Sequence, residues 1–167
     1  MSMLTPDRML RAMVRTPVIL DAILQDVSPE RAREARDGAD GWSVVEVVGH
    51  LLDIEHVYFE RARTMVDSDM PVLTPVDQDI WVRERGYATQ DVQPLFQDYV
   101  RLRREFVAYL ESLGEDDWQR QGVHPQAGVI DVTQTAMNAS QHDVNHIEQI
   151  VRALGMSEPF ERLAFSN

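Results

Sequence analysis

Apolar residues recur at helical spacing in four stretches, separated by polar segments that carry proline or glycine. Between Met9 and Val27 the apolar positions Leu10, Met13, Val14, Leu20, Ile23 and Leu24 follow the three-and-four spacing of an amphipathic helix. Thr5-Pro6-Asp7 starts it, a capping residue followed by proline at the first helical position. Pro17 predicts a kink or break. Residues 28–41 are polar; Ser28-Pro29-Glu30 can open a short helical turn, and the rest reads as loop. The second helix has the clearest start. Ser43 and Glu46 form a capping box, and Trp42 precedes the cap where it can pack on Val47 as a hydrophobic staple. Val44, Val47, Val48, Leu51, Ile54, Tyr58 and Met65 carry the stripe to about Val66, with His50 along one margin.

Residues 67–88 hold Pro71, Pro75 and Gly86 and show no sustained periodicity, a long connection for a compact domain, with Trp81 placed to plug it into the bundle. A third helix runs from Thr89 or Gln90 to Leu113 through Val92, Leu95, Phe96, Tyr99, Leu102, Phe106 and Leu110; Pro94 sits in its first turn and Gly114 ends it. Glu115 to Trp118 reads as a short helical turn, and His124 to Gly128 as loop. Asp131 and Gln134 form a second capping box that opens a fourth helix, which continues to Leu154 and stops at Gly155. The tail 156–167 is expected to pack loosely through Phe160, Leu163 and Phe165.

Four long helices without a convincing strand predict an all-α four-helix bundle, and 167 residues predict a single domain over 1–167. The long connection lets helices two and three run parallel. His50 stands about 10 Å from the start of its helix and His146 about 12 Å from the end of helix four. These levels match if helices two and four are antiparallel; if parallel, His146 would lie about 22 Å from the shared end. The expected topology is therefore up-down-down-up.

Composition removes several function classes. A formal charge of −12 should repel nucleic acid and anionic membranes. The chain has no cysteine, which excludes disulfides, thiolate ligands and a cysteine nucleophile. All sixteen basic residues are arginine, which excludes a lysine Schiff base. No apolar run approaches the roughly 20 residues that span a bilayer, and the N-terminus lacks a signal-peptide core, so a cytoplasmic protein is expected.

The chemistry concentrates in Asn138-Ala-Ser-Gln-His142-Asp-Val-Asn-His146-Ile-Glu-Gln-Ile150. Histidines four apart on a helix share one face, and two imidazoles so placed can bind one metal ion. A third histidine, His50, comes from a facing helix. Three nitrogens that converge for bonds of about 2.0–2.1 Å leave coordination positions open, the arrangement of a catalytic metal. The pair lacks the glutamate of the zinc-protease HExxH motif. Zinc and nickel both suit imidazole ligands. Asp53, one turn beyond His50, and Gln149 and Asn145, beside the pair, are candidates to orient a ligand ring or hold water or substrate. Glu46 is explained by its cap rather than as a base. His56 lies about 120° around the helix from His50 and is not expected to be a ligand. His124 reads as a turn residue near the mouth, and Trp42 and Trp118 as core anchors.

Trp42-Ser43-x-x-Glu46-Val-Val-x-His50-Leu51-x-Asp53-x-Glu55, followed by His142-x-x-x-His146-Ile147-x-Gln149-Ile150, resembles the DinB/YfiT-like superfamily of metal-dependent enzymes over nearly the whole chain. The resemblance implies the same up-down-down-up bundle. It also implies a divalent metal, zinc or nickel, held by His50, His142 and His146. Superfamily members include hydrolases and thiol-dependent S-transferases and isomerases that use bacillithiol or mycothiol, so a low-molecular-weight thiol is a further implied cofactor. A small-molecule substrate and a homodimer are consistent with the resemblance. The rival reading is a non-enzymatic bundle that binds a metal or small ligand as a stress or sensor protein; a third is a dimerising structural bundle with buried histidines.

Overall fold

Four long helices carry the structure, a computed structural model that describes residues 5–156. In chain order the elements are α1 (Pro6–Leu24), α2 (Pro29–Glu34), α3 (Val44–Asp67), α4 (Gln78–Glu84), a 3-10 turn (Tyr87–Thr89), α5 (Val92–Glu111), a second 3-10 turn (Asp117–Gln119), β1 (Gln121–His124), β2 (Gly128–Asp131) and α6 (Val132–Ala153). The expected packing of Phe160, Leu163 and Phe165 lies outside the described residues.

Paired contacts give the helix directions. Glu55 of α3 meets Arg103 of α5, and Phe59 stacks on Phe106 at 5.0 Å, so α3 and α5 run parallel. His50 of α3 meets His142 of α6, while Arg120, just ahead of α6, donates to the Met65 and Ser68 carbonyls at the end of α3. These two helices are therefore antiparallel. On α1, Met13 meets Arg103 and Leu24 meets Gln93, which makes α1 antiparallel to α5. The order is up-down-down-up, as the histidine levels predicted.

The core has two centres along the bundle. One gathers Leu20, Leu24, Val47, Val48, Leu51, Phe96, Tyr99, Ile147 and Ile150. The other gathers Met9, Met13, Ala62, Met65, Phe106, Leu110, Trp118, Ala136 and Ala139. Trp118 is thus a core anchor. Between the two centres lie polar groups from all four long helices.

Both capping boxes form: Glu46 Oε2 accepts from the Ser43 amide at 2.7 Å, and the Gln134 amide donates to Asp131 Oδ1 at 2.7 Å. Thr5 precedes Pro6 at the start of α1 but makes no side-chain cap bond. Pro17 lies inside a continuous α1, so the expected break is absent. Proline lacks the N–H that would bond the Met13 carbonyl, four residues back. That carbonyl accepts instead from Arg103 Nη1 at 3.0 Å, which satisfies the group the proline leaves free.

Two further expectations need correction. Residues 78–89 are not irregular: they form α4 and a 3-10 turn against α3. The Tyr87 ring lies 2.4 Å from where a Cβ on Gly49 would stand, so only glycine permits that approach. The segment His124 to Gly128, read as loop, belongs to a hairpin over residues 121–131 in which Gln121 faces Asp131 and His124 faces Gly128. Three residues, 125–127, link the strands, and Gly128 opens β2 at φ +77°, a left-handed conformation that glycine adopts without strain. Val123 exchanges backbone bonds with Pro71 and Leu73, tying the hairpin to the segment after α3. No helix among the described residues is long and apolar enough to cross a membrane.

Candidate metal centre

His50 sits in the seventh position of α3, on the side that faces α6, and is 1% exposed. His142 and His146 occupy successive turns of α6 and turn toward it. His142 Nε2 stands 3.0 Å from His50 Nε2 and 3.1 Å from His146 Nε2, and one ring nitrogen from each residue lies within 4.8 Å of the others. Ligand nitrogens on one tetrahedral zinc stand about 3.3 Å apart, given bonds of about 2.0–2.1 Å. The cluster already has that scale.

The proton inventory also suits a cation. His146 Nδ1 is 2.7 Å from Gln149 Oε1, an acceptor, so Nδ1 carries the proton and Nε2 presents a lone pair. His50 and His142 present Nε2 lone pairs as well whenever their protons sit on Nδ1. A cation would satisfy all three lone pairs at once. Burial, reinforced by the neighbouring His146, pushes His50 down to about 3. Burial, then His146, His50 and Arg103, pushes His142 down to about 2. Burial lowers His146 as well, partly offset by its bond to Gln149. The rings are neutral near pH 7, the state in which imidazole ligates metal.

These shifts set the acid response of the metal-free protein. Both folded values lie below the ordinary 6.5, so between about pH 6 and pH 3 the unfolded chain holds protons that the fold excludes. Stability should fall as pH drops below about 6.5, by about 1.4 kcal/mol per pH unit for each histidine, and stay flat in this respect above it. Urea unfolding of metal-free protein from pH 7.5 to 5 reads the slope. His142→Gln should flatten it by one histidine's share, and an unchanged slope would contradict the burial of that ring.

Trp42 closes one flank of the cluster. Its ring lies 4.9 Å from His50 and 6.4 Å from His146, stacked on the latter. It lines the centre as well as packing against the core. Tyr58 closes another flank, with its ring edge-on to His142 at 6.0 Å.

The other candidates distribute as follows. Gln149 bonds the His146 ring. Asn145 is exposed and makes no side-chain bond in the described structure. Asp53 makes no bond to a histidine of the cluster; Arg85 Nε stands 3.1 Å from its Oδ1, Tyr87 lies beside it, and burial raises its carboxyl. Glu46 is taken up by Ser43 and by Arg36 at 3.0 Å. His56 is exposed and outside the cluster, and His124 ends β1.

Sequence reasoning missed the polar knot directly beneath the cluster. Arg103, Glu55 and Asp143 are each 2% exposed. Arg103 donates to Glu55 Oε2 at 2.6 Å, to Asp143 Oδ2 at 2.7 Å and to Thr16 Oγ1 at 3.2 Å. The Thr16 hydroxyl in turn donates to Asp143. Asp143 follows His142 directly, so this knot seats the α6 turn that carries both histidines. A signal was present. Leu51, Ile54, Glu55 and Tyr58 follow one core phase, as do Tyr99, Leu102, Arg103 and Phe106; each puts a charge where an apolar residue belongs.

Comparison with known proteins bears on both fold and site. YfiT of Bacillus subtilis strain 168 is 27% identical over 126 residues, which cover 73% of this chain and 70% of its own. A Geobacillus thermodenitrificans protein is 31% identical over 85 residues, covering 51% and 47%. The names of both assign them to the metal-dependent hydrolases. The YfiT structure, a four-helix bundle of unusual topology, superposes with a TM-score of 0.82 over 99% of this chain and 91% of its own, at 20% identity. A mycothiol-dependent maleylpyruvate isomerase superposes with a TM-score of 0.73 over 88% of this chain and 61% of its own, at 13% identity, a likeness of fold alone. The DinB superfamily model matches residues 12–150, more than four-fifths of the sequence. This chain belongs to the DinB superfamily.

Proposed function

We propose that the protein is a divalent-metal-dependent hydrolase acting on a small molecule, with His50, His142 and His146 as the metal ligands and zinc or nickel as the ion. The carrying observation is the convergence of three neutral imidazoles, with adjacent Nε2 atoms 3.0 and 3.1 Å apart, in one face between α3 and α6. The names of the relatives support the same reading.

A cation held by three protein ligands keeps coordination positions open and supplies Lewis acidity toward a carbonyl or phosphoryl oxygen and toward water. The chain's own residues do the rest. Gln149 fixes the His146 tautomer and ring plane through the Nδ1 proton. Trp42 and Tyr58 exclude bulk water from two flanks of the cluster. The knot of Arg103, Glu55, Asp143 and Thr16 holds the α6 turn rigid under the two histidines.

The test is metal removal and return. Chelator-treated protein should lose about one equivalent of metal per chain and its hydrolysis of a panel of small esters, amides and phosphoesters; zinc or nickel should restore both. A chain that retains no divalent metal after purification and takes up none would sink the reading. The fold likeness to a mycothiol-dependent isomerase supports a second reading, a thiol-dependent transferase. Turnover that requires both metal and an added thiol would select it. Tight metal binding with no turnover on either arm would select the non-enzymatic bundle.

A further inference from the structure

A second set of donors lies along the face of α3 that carries His50. Arg61 follows His50 by eleven residues, about three helical turns, so the two project from nearly the same side with Val57 between them. Side chains lean toward the N-terminus of their helix, which brings the Arg61 guanidinium back toward the histidine end.

Its bonding is incomplete in an informative way. Arg61 donates to the Thr74 carbonyl at 3.1 Å, while its buried Nε has no acceptor among the described residues. No described carboxylate forms an ion pair with it, although the chain has 28 acidic residues. Nearby Glu60 pairs instead with Arg63, at 3.4 Å. A buried donor left without an acceptor costs free energy, which a bound acceptor would recover.

Its neighbours are also donors. Tyr58, whose ring meets His142, lies within electrostatic reach of Arg61, and so does His124. His124 Nδ1 accepts from the Gln126 and Ala127 amides at 3.2 and 3.1 Å, so its Nε2 carries the proton and can donate. Arg61 further lines a cavity of about 300 Å³ together with Val57, Thr74, Val76 and Trp81; Glu60 lines it too, with its charge met by Arg63. That volume suits a small molecule. Guanidinium recognises carboxylate and phosphate through paired N–H bonds.

We propose that Arg61 binds the oxyanion end of a small substrate whose apolar body lies against Val57, Val76 and Trp81 and whose reacting bond points along α3 toward the histidine cluster. The direction of the reacting end rests on the proposed hydrolase reading; the anion subsite does not.

The experiment titrates the full chain, metal-free and metal-loaded, with benzoate, benzamide and inorganic phosphate. The readouts are the NMR signals of the His124 ring and Trp81 indole, with metal content measured on the same samples. Benzoate should bind with at least tenfold higher affinity than neutral benzamide. Arg61→Gln should weaken benzoate tenfold or more at unchanged metal content, Arg61→Lys should weaken it less, and Arg101→Gln on the exposed face of α5 should leave it unchanged. Phosphate that matches benzoate and is lost in Arg61→Gln assigns the subsite to phosphate-type oxyanions; benzoate without phosphate assigns it to carboxylates on an apolar body. The proposal is overturned if neither anion moves the signals, if benzamide binds as well as benzoate, or if Arg61→Gln stays within twofold of wild type. Arg61-dependent anion binding in a protein that takes up no metal would keep this subsite and remove the hydrolase reading.

Discussion

His142→Ala is expected to weaken metal binding by on the order of 100-fold or more and to abolish metal-dependent turnover while leaving the helical fold intact. His142 Nε2 is within 3.1 Å of both other Nε2 atoms, so its ring abuts both of the other candidate ligands. Its loss leaves two ligands on different helices. Loss of an outer partner such as Gln149 typically costs about 10–100-fold, so Gln149→Ala should lie between wild type and His142→Ala. The two effects have different causes. Gln149 holds a ring in one plane and tautomer, while His142 supplies a bond. Competition against a calibrated chelator reads the ordering, and circular dichroism checks the fold. If His142→Ala binds as tightly as wild type, the three rings do not form one ligand set. If Gln149→Ala falls as far as His142→Ala, the amide is more than an orienting partner.

How much of this was legible depends on how local each signal is. The two capping boxes involve residues three apart, so Ser43 with Glu46 and Asp131 with Gln134 could be paired from the sequence and do pair in the structure. The bundle topology followed from helix lengths and from matching the levels of His50 and His146, which needs only the rise per residue. The hairpin at 121–131 was harder. Its strands have four residues each, Gly122 dilutes one of them, and part of its support comes from Pro71 and Leu73, some fifty residues earlier. The break allowed for at Pro17 does not occur, and the group that satisfies the carbonyl its missing N–H leaves free comes from Arg103, on another helix.

The candidate site shows the same division. Two ligand candidates are four residues apart and their phase is visible. Asp53 looked as well placed one turn after His50, yet it faces α4 and its Arg85 partner, because the register of that long connection is not written in local periodicity. The charged residues in core phase, Glu55 and Arg103, were legible one at a time as anomalies. Their convergence with Asp143 and Thr16 required three helix contacts to be known together.

Arg103→Met should therefore carry a large stability loss, about 3–5 kcal/mol at pH 7. That is a large fraction of the about 5–15 kcal/mol that holds a domain of this size. Arg103 is 2% exposed and bonds side chains or carbonyls from α1, α3 and α6 while belonging to α5. Methionine fills much of the volume, so the cost is electrostatic rather than a cavity: two buried carboxylates lose their shared counter-charge. Burial already raises the Glu55 carboxyl, with Arg103 the chief opposing influence. Without Arg103 that carboxyl rises further, and the deficit should shrink as pH falls and Glu55 takes up a proton. Adding Glu55→Gln and Asp143→Asn should recover part of the loss at pH 7, since neutral amides need no counter-charge. Urea unfolding of the single and triple variants at pH 7 and pH 5.5 separates the two causes. A deficit that is the same at both values and unrelieved by the amides would assign the loss to packing, and the knot would then not be the electrostatic clamp that sets α6 beneath its histidines.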